Sequence, residues 1–201
     1  MRPSMLWMEN YSENFEGFST CIYDMAWKPD GSELLLASDS NIIIFCATEF
    51  IILQTLKGHK DVVYALEWSH NGEKFASGSA DKSIIIWTEE HEGILKYTHG
   101  DAIQCIAFNP INCILLSCAL SDYAHWSEDE KNVNKQKCGG RITSCAWSKR
   151  GDQFGIGMYD GSVFIRPFDP SDLLSNYSND SFVRIDRPGG EPIWSILFNY
   201  M

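Results

Sequence analysis

The stretch that decides the fold is Gly58 to Trp87, GHKDVVYALEWSHNGEKFASGSADKSIIIW. Val63 to Trp68 is a short apolar run suited to an inner strand. Asn71-Gly72 follows as a hairpin turn, since both residues tolerate positive φ. Phe75 to Gly78 is the next strand, and Ala80-Asp81-Lys82 is a second turn. Ile84 to Trp87 is a β-branched run ending in an aromatic, which predicts a strand buried on both faces. Three strands joined by two tight turns make a unit of antiparallel β-structure. Gly-His opens it, Asp81 marks its second turn, and Trp87 closes its third strand.

The unit recurs. The aromatic ending its first strand returns as Trp27, Trp68, Phe108 and Trp147, at steps of 41, 40 and 39 residues. Five residues before each stand Ile22, Val63, Ile103 and Ile142. The turn glycine returns as Gly31, Gly72 and Gly151, with Asn112 in its place once. The turn aspartate returns as Asp39, Asp81, Asp122 and Asp160. Six residues later come Phe45, Trp87 and Arg166, but Trp126 lies only four after Asp122, so the third copy has a shortened second turn. A period near forty with four strands' worth of sequence per copy resembles the WD40 repeat, the blade of a β-propeller. The expected fold is therefore all-β: a WD40-type propeller of about four blades plus the first strand of a fifth.

The copies span about 20–56, 58–97, 99–138 and 139–188, with a partial copy at 191–201. Residues 1–19 form a lead or an outer strand, for which Leu6-Trp7-Met8 is the candidate. Pro192 to Phe198 reads as a fifth inner strand, because Ile193 again precedes an aromatic by five. Propellers close with about 4–8 blades, so the chain reads as the leading part of a larger ring. Bare blade faces are then expected at Ile42, Ile44, Trp194 and Ile196. The fourth copy is longer than the others. Its excess, Asp169 to Ser181, is rich in Ser, Asp and Asn and reads as a surface loop. The charged run Glu128 to Lys137 reads as a solvated outer edge.

Composition narrows the functional classes. The formal net charge is −11, from 27 acidic and 16 basic residues. That disfavours nonspecific binding to nucleic acid or to an anionic membrane, both of which need basic surface. No run reaches the length of a membrane span. Seven cysteines show no Cys-x-x-Cys or Cys/His ligand spacing. They read as small buried residues of a reducing compartment, with neither disulfides nor a metal implied. No phosphate-binding loop occurs, since Gly155-Ile-Gly157 lies inside a strand and opens no helix. No cofactor and no catalytic residue is assigned.

One constellation needs weighing. His59, Ser77 or Ser79, Asp81 and Trp87 resemble the hydrogen-bonded tetrad of WD40 blades. His59 can bridge a carboxylate and a hydroxyl, and the Trp87 indole N–H needs an acceptor. His, Ser and Asp together also suggest a nucleophilic triad, but there is no nucleophile elbow to present the serine. His99 stands nine before Phe108, as His59 stands nine before Trp68. Phe18 and Cys138 hold that place in the other copies, which predicts no tetrad there.

The wording of the repeats is more specific than the WD40 consensus. LKGHKDVVYALEW, GEKFASGSADKSIIIWT, EGILKYTHGDAIQCIAFNP and RPGGEPIWSI resemble the amino-terminal propeller of the intraflagellar transport protein 122 family. The likeness runs from about Cys21 to Phe198. The lead, the Tyr123 to Trp126 segment and the Asp169 to Ser181 insertion depart from it. The resemblance implies a non-catalytic scaffold within intraflagellar transport complex A. Its partners would be the other subunits of that complex, with ciliary membrane cargo or adaptors. Its roles would be retrograde transport, cilium assembly and the entry of membrane proteins. Its place would be the cilium, the basal body and the cytoplasm. Two other classes are open from the residues: a WD-repeat adaptor such as a ubiquitin-ligase substrate receptor, and a propeller enzyme.

Overall fold

The computed structural model describes residues 21–49, 51–128, 135–169 and 183–198. Each copy forms one four-stranded antiparallel meander, with strands in chain order from the inner to the outer edge. Blade one holds β1 (Ile22–Trp27), β2 (Glu33–Ser38), β3 (Asn41–Cys46) and β4 (Ile51–Lys57). Blade two holds β5 (Val63–Trp68), β6 (Lys74–Ser79), β7 (Ser83–Thr88) and β8 (Gly93–Thr98). Blade three holds β9 (Ile103–Phe108), β10 (Leu115–Ala119), β11 (Asp122–Trp126) and β12 (Lys135–Lys137). Blade four holds β13 (Ile142–Trp147), β14 (Gln153–Met158), β15 (Ser162–Pro167) and β16 (Val183–Asp186). The candidate lead strand and all of the insertion but Asp169 lie outside the described residues. Among the described residues no helix is long and apolar enough to cross a membrane.

The register explains the repeat. Trp27 pairs with Leu34 and Leu34 with Phe45; Trp68 pairs with Phe75 and Phe75 with Trp87. Phe108, Leu115 and Trp126 align the same way, as do Trp147, Phe154 and Arg166. The four inner-strand aromatics therefore occupy one equivalent place. The irregular spacing of Trp126 reflects a shorter β10–β11 turn, which draws Asp122 into the strand itself.

Hydrophobic clusters lie between successive blades, because side chains of one strand alternate between two faces. In β7, Ile85 and Trp87 join the cluster shared with blade one, while Ile84 and Ile86 join that shared with blade three. Trp68, Phe108 and Trp147 all face the preceding blade. They are 5%, 6% and 8% exposed, whereas Trp27, with no described blade on that side, is 56% exposed. This corrects one expectation. Ile42 and Ile44 are buried against blade two; the bare face of blade one belongs instead to Met25 and Trp27. Trp194 is exposed as expected, and Ile196 is half-buried.

Two turn expectations also change. Gly31, Gly72 and Gly151 do take positive φ, but Asn71 does not. In blade three the positive φ falls on Cys113 rather than Asn112, in a turn where Asn109 Oδ1 accepts from the Ile111 amide at 2.9 Å. Pro192 to Phe198 runs extended without forming a strand. It lies against blade four: the Ile193 amide donates to Met158 O at 3.1 Å, and its carbonyl accepts from Thr143 Oγ1 and Ser144 Oγ. No ladder forms because no neighbouring strand among the described residues presents its edge to it.

Each inner strand carries one β-bulge at the same place. The register shifts around Tyr23, Tyr64, Gln104 and Thr143. A bulge re-aims the extra side chain. These four residues together line an open cavity of about 270 Å3 between the inner strands.

Candidate functional site

The structure brings His59, Ser77, Asp81 and Trp87 together, and it selects Ser77 over Ser79. The Trp87 indole N–H donates to Ser77 Oγ at 2.9 Å. Ser77 Oγ and His59 Nε2 lie 2.7 Å apart, and His59 Nδ1 lies 3.3 Å from both Asp81 oxygens. Ser79 instead donates to Asp61 O at 2.9 Å and accepts from the Asp81 amide. Burial outweighs the Asp81 charge at His59 and lowers its pKa, so the imidazole is neutral. Burial alone would raise the Asp81 pKa, but the Ser83 hydroxyl and the Lys60 and Ser83 amides bring it well below the usual carboxylate range. One proton arrangement then satisfies every member. Trp87 N–H points to Ser77, the Ser77 hydroxyl to His59 Nε2, and His59 Nδ1–H to ionised Asp81; the tautomer is assigned from these partners.

The order Ser–His–Asp is that of a nucleophilic triad, but Ser77 is fully buried and its oxygen already accepts the indole N–H. No carbonyl carbon can reach it. What the chain of bonds does is tie the loop before β5 to the middle of its own blade.

Blade three builds a related set. His99 Nδ1 lies 2.7 Å from Asp122 Oδ1 and Nε2 2.9 Å from Ser117 Oγ. Ser117 here accepts from the Tyr97 hydroxyl of blade two, at 3.2 Å, so the network crosses between blades. Blade four departs further. Arg166 stands where Trp87 stands in blade two, and its guanidinium lies 5.6 Å from the Tyr123 ring centroid. Beside it His125 is packed among Tyr123, Trp147, Phe154 and Phe168. Burial, reinforced by Arg166, pushes the His125 pKa down to about 3.

Two acids join inner strands of adjacent blades. Asp24 Oδ2 accepts from the Leu66 amide at 2.7 Å, and Glu67 Oε2 from the Phe108 amide at 2.8 Å. Removal from solvent raises both carboxyl pKa values, that of Glu67 strongly.

Sequence spacing missed one cluster. Cys105, Cys118 and Cys145 come from β9, β10 and β13, and their Sγ atoms all lie within 4.8 Å of one another. They are 13 and 27 residues apart, so no local motif announces them; only the propeller register could have done so. The expectation of fully buried cysteines holds for Cys118; Cys21 is exposed and the other five are half-buried.

The profile of the family described as IFT122 first beta-propeller matches residues 21–201. The chain belongs to that family. It is 44% identical over 201 residues to the intraflagellar transport protein 122 homolog of Mus musculus, covering 99% of this chain and 16% of that protein. The Danio rerio homolog is 42% identical with the same coverage. The Homo sapiens homolog is 47% identical over 181 residues, 89% of this chain and 14% of that protein. The chain thus spans about one-sixth of the length of the mouse and fish relatives and matches the first propeller of the IFT122 family. WD repeats, a β-propeller and an intraflagellar transport lineage follow directly.

Proposed function

We propose that this chain is a non-catalytic propeller of an intraflagellar transport complex A subunit. In this reading it holds complex subunits together, supports retrograde movement in the cilium, and helps membrane proteins enter. It works at the cilium, the basal body and in the cytoplasm. The observation that carries the reading is the match to the IFT122 first propeller over residues 21–201. The chemistry agrees with it. The Ser, His and Asp side chains that could form a triad are enclosed within blades and engaged with one another, so they serve as structural ties. The four inner-strand aromatics and the tetrad of His59, Ser77, Asp81 and Trp87 are accordingly assigned to stability. The test is to delete residues 21–198 from the native protein and follow transported particles along cilia. Loss of returning particles with outward movement retained supports the proposal. Normal return traffic, with the shortened protein stably present, overturns it.

A further inference from the structure

The thiol cluster sits at the junction of blades three and four. Cys105 and Cys118 are direct cross-strand partners in β9 and β10, and Cys145 faces them from β13. The same three lattice positions exist at the other junctions. Between blades one and two they are Asp24, Ala37 and Leu66; between blades two and three they are Ala65, Gly78 and Ile106. Packing at this place is thus met without sulfur twice in the same chain. Three sulfurs at the third junction exceed what packing requires.

Their geometry suits an ion. Around one ion with metal–sulfur bonds of about 2.3 Å, three sulfurs in a plane lie about 4 Å apart, within the present separation limit. Two thiols face an entry route, since Cys105 and Cys145 line the cavity at the inner strands. The third, Cys118, is wholly enclosed and fixes the base of the site. Among the described residues no histidine or carboxylate joins the group as a fourth ligand. A structural zinc ion calls for four protein ligands. Soft thiolates without a fourth donor favour a soft monovalent ion instead.

We propose that Cys105, Cys118 and Cys145 form a three-coordinate thiolate site for a single cuprous ion, clamping blade three to blade four. The proposal is independent of the transport reading, since it concerns only this junction.

The test is a titration of the native-length protein, fully reduced, with Cu(I) against a chromophoric Cu(I) chelator. Cys145→Ser and Cys118→Ser are compared with wild type, and Cys21→Ser, an exposed position outside the cluster, is the control. Loss of one high-affinity equivalent in both cluster variants, by at least about 100-fold in affinity, with Cys21→Ser unchanged, is the expected result. X-ray absorption at the copper edge should show three sulfur neighbours in wild type. Hydrogen exchange over residues 103–158 of the metal-free variants guards against misfolding, because wild-type-like protection there makes the lost equivalent a loss of ligand. If Cys118→Ser fails this control, Cys145→Ser, at a half-buried position, decides. Equal copper uptake by wild type and a folded variant would overturn the site. Retention of Zn(II) at these sulfurs against excess Cu(I) would overturn the choice of ion.

Discussion

Replacing Asp81 by alanine isolates the worth of the blade-two network. The carboxylate accepts from the Lys60 and Ser83 amides at 2.9 Å each, from Ser83 Oγ at 2.5 Å, and from His59 Nδ1 at 3.3 Å. Lys60 is exposed, so water replaces its bond. Ser83 Oγ lies 3.1 Å from His59 Nδ1 and can turn to accept that proton. The Ser83 amide and hydroxyl, both on a buried residue, then lose their acceptor, and each donor that water does not reach costs about 1–3 kcal/mol. A midpoint of about 2 kcal/mol corresponds to roughly 30-fold faster opening. The assay is amide hydrogen exchange of peptides covering residues 59–87 in the native-length protein, because exchange reads local opening within one blade. Asp160→Ala is the internal control. Asp160 makes the same turn bonds to Ser162 but no histidine contact, and its side chain is 58% exposed. Solvent replaces those bonds, so exchange around it should change by no more than ~2-fold. Equal effects of the two substitutions would refute the claim that the buried histidine network, rather than the turn, supplies the stability.

Gly78→Ala should loosen the junction of blades two and three by about 1–3 kcal/mol, because the new Cβ would lie within 3.1 Å of Ile103 Cβ and closer still to its Cγ2. Ile103→Ala should relieve part of that cost, and strictly additive effects in the double mutant would rule the clash out. Trp68→Ala should cost about 3–5 kcal/mol, since the ring is enclosed between blades. In the 201-residue chain Trp27→Ala should cost far less, because its ring is 56% exposed there, and equal losses of the two in melting experiments on that chain would contradict the facing of these aromatics. A pH effect follows from His125, whose pKa in the fold is about 3. Its contribution is complete above the unfolded value of about 6.5 and is lost as pH falls towards 3, amounting to roughly 2 kcal/mol at pH 5. Glu67, with its raised pKa, acts in the opposite direction over part of this window. The readout is therefore the difference in blade-four protection between wild type and His125→Phe at pH 7 and pH 5, and no difference would refute the burial argument.

The blades were legible because their signal is local. Turn glycines, inner-strand aromatics and β-branched third strands each follow from backbone and packing demands within about forty residues. The tetrad was legible for the same reason, apart from the choice of serine. Alternation places Ser77 and Ser79 on the same face of β6, so strand pattern cannot choose between them. The contacts do: Ser79, at the strand end, donates to Asp61 O, while Ser77 meets His59 and Trp87. What stayed hidden depends on contacts between copies. Ile42 and Ile44 looked bare because strand alternation alone does not say which neighbour covers which face. Pro192 to Phe198 has the inner-strand pattern, but pattern cannot supply a partner edge. Cys105, Cys118 and Cys145 meet only when two blades are placed side by side, and His125 shows its aromatic surroundings only then.

The central claim is that this propeller belongs to a transport assembly. Its most direct test is quantitative purification of the native-length protein from ciliated cells, carrying a tag distant from residues 21–198. The account predicts intraflagellar transport complex A subunits in near-stoichiometric amounts, retained in the wild type and lost when this propeller is deleted. Recovery without those subunits, or with ubiquitin-ligase components in their place, would contradict it.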